Sequence, residues 1–466
     1  MLLRVVFILL GCTALVVSDR LYVHPFYLLT YNQSSCDELK KVDTKTMEEQ
    51  NFTPVPIQAK TSALDEMAVK DELVSYAQTL NEDDKKKSGY VGMLMNFLGF
   101  RMYKMLKEMV SPVNGAVLLS PVGLFGTLTS FYLGSEAPTD NKLIAFLGFP
   151  AKDRNCTSQV DGQKVLSTLK AIQSLLLVQE KKGSSSLLLT SVVGLFTSPT
   201  LRLKQSFVHG VASFASVTYS RSLDLTTNSD LAAEKIDRFI GAVTGWTRKT
   251  KLTGISQDTT LIFTTFVHFQ GAIKGLSQLT ENQVFRVNST TGISVPMLSG
   301  TGIFLYWNDI RNNFSVIQVP FNENADLLLI KPQNNNLEDI ENLAFNHDFS
   351  SWMENLSPRK IHLTLPKLVQ ESTYDLKNLL TYSNLSELLG KEAKLRKISD
   401  ANLKVGKVMN TVLFELKESQ EEQEDLFQKT VPLEVKLDSP FLFTIYNYKL
   451  NTFYFLGRVT NPLSGV

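Results

Sequence analysis

The chain has 466 residues, of which 43% are hydrophobic, 10% aromatic and 20% charged. That balance suits a globular body with a sizeable core and excludes a disordered or fibrous chain. Its 47 basic and 46 acidic residues leave a net charge of +1, so nothing points to nucleic acid or an anionic membrane as a bulk partner. The length is generous for one domain, but the patterning is too even to divide the body with confidence.

The first residues, MLLRVVFILLGCTALVVS, place one arginine before an apolar run from Val5 to Val17. Small residues stand at Val16 and Ser18, so the pattern predicts a secretory signal peptide over 1–18, cut between Ser18 and Asp19. The run is too short and too poorly flanked to anchor in a bilayer. No later segment reaches the roughly 18 uninterrupted apolar residues of a spanning helix. A soluble, secreted, extracellular protein is expected, with no membrane partner.

Residues 19–62 are polar, carry Pro25, Pro54 and Pro56, and hold no sustained period, which predicts a mostly extended N-terminal arm. A body follows over 63–466. Helical spacing begins near Ala63, and Val91, Leu94, Leu98, Met102 and Met105 recur at three- and four-residue steps as one buried stripe. The charge run within NEDDKKKSG reads as a solvated helix terminus and loop. AVLLSPVGLFGTLTSFYLGS reads as a short strand, a Ser-Pro break and a buried helix. TTLIFTTFVHFQG is too β-branched and aromatic for a helix and predicts a central strand. ADLLLIKP and RKIHLTLPKL are further strands, and PFLFTIYNYKLNTFYFLGRV reads as two strands about a polar turn at 447–452. Helices early, strands late and no βαβ alternation predict an α+β body with helices packed on a large mixed, mainly antiparallel sheet.

Cys12 leaves with the signal, so the secreted chain keeps Cys36 and Cys156. In an oxidising compartment they allow one internal pairing, with a free or intermolecular thiol as the alternative. A bridge would close 120 positions, about 4–5 kcal/mol on the chain-entropy account. Seven N-x-Ser/Thr acceptors, Asn32, Asn51, Asn155, Asn288, Asn313, Asn355 and Asn384, suit an exported glycoprotein.

Catalysis finds little support. The five histidines, His24, His209, His268, His347 and His362, fall at no metal-ligand spacing. The sequence has no HExxH, no G-x-S-x-G, no phosphate-cradling glycine loop and no CxxC. No cofactor is expected. His209, His268 and His362 stand in apolar runs and read as core histidines, and His347 precedes Asp348 in a polar loop.

Several segments, in order, resemble the serpin family: residues 117–134, FLGF at 146–149, FVHFQG at 266–271, VPMLSGTG at 295–302, 363–380 and 440–462. Together they span roughly 90–466, and the resemblance implies a serpin fold. Serpin inhibitors insert a cleaved loop whose hinge must be small and apolar. The corresponding stretch here, 415–427, carries Glu418, Glu421, Glu422, Glu424 and Asp425, and burying even one unpaired carboxylate costs several kcal/mol. The expectation is therefore a non-inhibitory serpin.

Ahead of that body, DRLYVHPF (Asp19, Arg20, Leu21, Tyr22, Val23, His24, Pro25, Phe26) resembles the angiotensin peptides, with Tyr27 standing where that peptide family has histidine. The resemblance implies a precursor of a vasoactive peptide hormone, with Cys36 and Cys156 in the positions of an arm-to-body disulfide. It implies that a renin-type aspartic protease cuts Leu28–Leu29, releasing 19–28. A dipeptidyl carboxypeptidase would then cut Phe26–Tyr27, and an angiotensin-type receptor would bind 19–26. Phe26, Tyr27, Leu28 and Leu29 supply the bulky apolar run that such a cleft favours, and Pro25 pre-sets extended geometry at His24. The alternative is a serpin acting as a protease inhibitor or small-ligand carrier.

Overall fold

A computed structural model describes residues 26–44, 50–109, 116–150, 155–178, 187–246, 250–334, 336–346, 349–419 and 430–464. Residues 1–18, expected to be a signal peptide, Asp19–Pro25 and most of the acidic stretch lie outside the described residues.

The buried stripe belongs to the helix Glu82–Met109, where Val91, Leu98 and Met102 are sealed and Leu94 and Met105 nearly so. The charge run before it is not a loop. Glu82, Asp83 and Asp84 form its first turn and pair with Lys85, Lys86 and Lys87 three residues on. Acids favour the partial positive charge of a helix N-terminus, so this run starts the helix. Ser120 caps the helix Pro121–Leu133 through Gly123 N–H, and the preceding strand Val117–Leu119 is fully buried.

The strands form two large sheets where one was expected. The nine-stranded sheet runs Leu433–Lys436, Ser357–Pro366, Met297–Asp309, Phe314–Pro320, Asp326–Pro332, Phe441–Asn447, Thr452–Val459 and Val117–Leu119, with Ser277–Gln278 pairing to the third of these. The six-stranded sheet runs Val369–Asp375, Val405–Lys417, Leu261–Ala272, Leu188–Thr197, Val217–Ser222 and Val55–Pro56. Pairing is mainly antiparallel. The central neighbours Leu261–Ala272 and Val405–Lys417 are parallel, as are Leu188–Thr197 with Val217–Ser222, Val217–Ser222 with Val55–Pro56, and Ser357–Pro366 with Leu433–Lys436. Leu261–Ala272 is central and almost wholly buried, which its β-branched and aromatic run requires. Phe441–Asn447 and Thr452–Val459 form the expected hairpin.

The arm departs from its extended expectation. Tyr27–Leu29 is a 3₁₀ turn and Gln33–Thr44 an α-helix. The helix starts at Asn32, whose Oδ1 accepts from Ser35 N–H at 2.7 Å. The proline spacing that suggested an extended chain lies outside this helix, and its short polar run shows too little apolar periodicity to announce one.

Candidate functional site

Four consecutive apolar residues meet the body at the start of the described arm. Phe26 is 8% exposed, Tyr27 50% and Leu29 0%, with Leu28 half-buried. The Phe26 ring stands edge-on to Phe149 at 5.4 Å and to Tyr90 at 6.1 Å. Leu29 N–H donates to Phe26 O at 2.8 Å, closing the turn around residues 27 and 28. The arm expected to be mostly extended is therefore folded and packed against the body here. A greasy run in reach of an aromatic pocket buries itself, because each large side chain removed from water contributes about 1.5–3 kcal/mol.

The chain after Leu29 is clamped to residues 159–164. Asp161 N–H donates to Leu29 O at 2.8 Å, and Tyr31 N–H donates to Gln159 O at 3.0 Å, around an antiparallel bridge between Thr30 and Val160. Lys164 Nζ donates to Thr30 O at 2.6 Å. Lys164 sits in the first turn of the helix Gly162–Leu177, which Asp161 caps by accepting from Gln163 and Lys164 N–H. Tyr132 OH braces the same strip by donating to Val160 O at 2.7 Å. Burial, with Asp161 nearby, pushes the Tyr31 phenol up to about 12, and burial raises the Asp161 carboxyl.

A covalent tie closes the site. Cys36 and Cys156 form a disulfide with Cα atoms 5.9 Å apart. It joins the helix Gln33–Thr44 to the 3₁₀ turn Cys156–Ser158, three residues before Gln159. Bridge and clamp thus act on one short stretch.

Other expected residues fall as follows. All seven glycan acceptors, Asn32, Asn51, Asn155, Asn288, Asn313, Asn355 and Asn384, are exposed. His268 is buried, its Nδ1 2.7 Å from Glu66 Oε1. His209 and His362 are not core residues. His209 lies on the open face of an amphipathic helix, and half-buried His362 meets the Ser299 and Thr301 hydroxyls. His24 and His347 lie outside the described residues. Of the acidic stretch, Glu415 to Lys417 belongs to the strand Val405–Lys417, and Glu418 is exposed.

Sequence reasoning missed Tyr90, Phe149, Val160, Asp161 and Lys164. Their contacts to the arm join residues far apart in the chain, with 134 positions between Thr30 and Lys164. The one available signal was Cys156, since a bridge to Cys36 brings whatever follows it beside residues 29–32.

Known proteins agree with this architecture. The family described as serpin (serine protease inhibitor) matches residues 93–462. The chain belongs to the serpin family. It is 52% identical over 461 residues to angiotensinogen of Bos taurus, covering 98% of this chain and 97% of that one. It is 49% identical to angiotensinogen of Homo sapiens over the same shares. Uncleaved ovalbumin superposes with a TM-score of 0.66 at 20% identity, covering 80% of this chain and 100% of that one. Human thyroxine-binding globulin gives 0.67 at 20% identity, covering 81% and 99%. These two structures speak for the fold alone; the likeness to angiotensinogen covers 98% of the chain.

Proposed function

We propose that this serpin is a secreted precursor of an angiotensin-like peptide hormone and a substrate rather than an enzyme. Its N-terminal segment is cut between Leu28 and Leu29 by a renin-type aspartic protease, releasing 19–28. A dipeptidyl carboxypeptidase then removes Tyr27 and Leu28, leaving Asp19 to Phe26 for an angiotensin-type receptor. The observation that carries the reading is the near-full-length similarity to angiotensinogen, joined to DRLYVHPFYL at 19–28. On this reading residues 1–18 are a signal peptide, 19–62 a processed arm and 63–466 its carrier, with glycans on the seven exposed asparagines.

An aspartic protease binds its substrate extended, whereas residues 27–29 form a 3₁₀ turn with Leu29 sealed. Cleavage therefore requires Phe26 and Leu29 to leave the body and the Thr30–Val160 bridge to part. A protease that binds only the released form pays for it in apparent affinity, in proportion to how rarely that form occurs. A cleft with binding energy for the body as well would offset that loss, so the scaffold withholds the bond from general proteases.

The receptor step supplies a test. The intact chain alone is expected to leave cells bearing an angiotensin-type receptor silent. The same chain treated with a renin-type protease and then a dipeptidyl carboxypeptidase should raise intracellular calcium. Silence after both treatments, with a synthetic DRLYVHPF control active, would reject the hormone assignment.

A further inference from the structure

Hydrolysis between Leu28 and Leu29 adds one water across the bond. It leaves a carboxylate on Leu28 and an amine on Leu29 that takes up a proton. In the intact chain Leu29 N–H donates to Phe26 O at 2.8 Å, within the turn Tyr27–Leu29. The cut removes that acceptor with residues 19–28, so the new ammonium lacks the partner its amide had. Leu29 is 0% exposed, and a charge held at such a position without a partner is costly.

What anchors Leu29 to the body survives the cut. Its side chain and carbonyl are intact, and Asp161 N–H donates to Leu29 O at 2.8 Å. The antiparallel bridge between Thr30 and Val160 makes Leu29 and Asp161 cross-strand neighbours. Opposed residues of such a pair turn their side chains to one face, with Cα atoms about 5.5 Å apart. Asp161 is the one acid of residues 159–164, so the new terminus forms beside a carboxylate. That carboxylate is half-buried rather than sealed. Both of its helix-capping bonds, from Gln163 and Lys164 N–H, use Oδ1, which leaves Oδ2 to receive a further donor. Freed of residue 28, Leu29 can turn about its Cα–C bond while its carbonyl stays held, and so bring the amine to Oδ2.

The surrounding charges favour a cation there. Burial raises the Asp161 carboxyl even with the Lys164 charge beside it, and a second cation relieves that penalty. The other titratable groups around the strip are Tyr31 on the arm, Tyr132 with Asp140 behind it, and Tyr90 across from Phe26. The Lys164 ammonium is already committed to Thr30 O at 2.6 Å.

We propose that Asp161 is the seat of the α-ammonium created at Leu29, by which the cut body draws its new terminus out of the protease cleft and holds it. The seat rests on the cleavage reading above and adds to it a fate for the primed side of the product.

The test cuts the full-length chain with a renin-type protease and follows acetylation of the Leu29 amine against pH by mass spectrometry. The amine is expected to titrate about one unit above the ordinary 7.7–8.0 of an α-amine, a tenfold higher proton affinity. Asp161→Asn keeps a capping side chain and the backbone bond to Leu29 O, and should lower the titration by about that unit. An aminopeptidase should remove Leu29 from the cut protein about tenfold more slowly than from a synthetic peptide of residues 29–34, and Asp161→Asn should recover the rate. Equal titration in parent and Asp161→Asn, or removal of Leu29 as fast as from the peptide, overturns the proposal. Where the variant fails to fold, the comparison with the peptide decides on the unaltered chain. A renin-type protease that makes no cut at Leu28–Leu29 rejects the hormone reading instead. A full-length chain with DDDDK in place of residues 24–28, cut after that sequence by enteropeptidase, carries the same Leu29 terminus and still tests the seat.

Discussion

Replacing Lys164 with methionine is expected to raise kcat/KM for cleavage at Leu28–Leu29 by about tenfold in the full-length protein. Methionine keeps most of the apolar stem, which lies half-buried, and removes the ammonium that holds Thr30 O at 2.6 Å. A hydrogen bond from a charged donor contributes about 1.5–3 kcal/mol, and partial exposure places this one at the low end. Each 1.4 kcal/mol removed from the closed form raises the open population about tenfold, and kcat/KM follows it while opening stays rare. A synthetic peptide spanning residues 19–32 has no body to close against, so its cleavage rate sets the limit that the variant approaches. A Lys164→Met rate equal to the parent would show that the clamp does not restrain cleavage.

The second expected result concerns the body. Asp326 begins the strand Asp326–Pro332, is 4% exposed and accepts from Gln318 Nε2 at 2.9 Å. Burial pushes its carboxyl from the ordinary 3.8 up to about 7, opposed only by that hydrogen bond. Gln318 Oε1 has no partner, so a proton on Asp326 has an acceptor beside it. The sign follows from proton linkage. The native state holds the proton up to about pH 7 and the unfolded chain releases it near 4. Stability is therefore greatest below pH 4 as far as this group is concerned, and falls as pH rises from 4 through 7. The gap between 3.8 and about 7 amounts to at most about 4 kcal/mol at pH 8. Asp326→Asn keeps a neutral, hydrogen-bonding side chain, so it should stabilise the protein at pH 8 by about 1–4 kcal/mol and barely at all near pH 4. Urea unfolding at both pH values measures this, and identical pH slopes for parent and variant would contradict it.

The body was legible because its signals are local and repeated. The Val91–Met105 stripe, the Ser120-Pro121 helix start and the buried run of Leu261–Ala272 each follow from side-chain period and backbone chemistry, and each appears as expected. The division into two sheets was not legible, since period shows that a strand is half or wholly buried but not which neighbours bury it. The site divides the same way. Resemblance to a family implied where a protease would cut, and it implied the Cys36–Cys156 pairing that the structure contains. It did not show that Phe26 would find Phe149, or that Lys164 would reach Thr30, because those partners lie more than a hundred positions away and carry no motif. The apolar character of residues 26–29 suits both a protease cleft and self-burial, and only the tertiary partners show that self-burial is realised.

The most direct test of the account is a mass spectrum of the full-length protein after incubation with a renin-type aspartic protease. The account requires one early fragment, DRLYVHPFYL, from residues 19–28, with Cys36 still bonded to Cys156 in the remainder. Scattered cuts in the body, or no decapeptide under conditions that cleave the free 19–32 peptide, would contradict it.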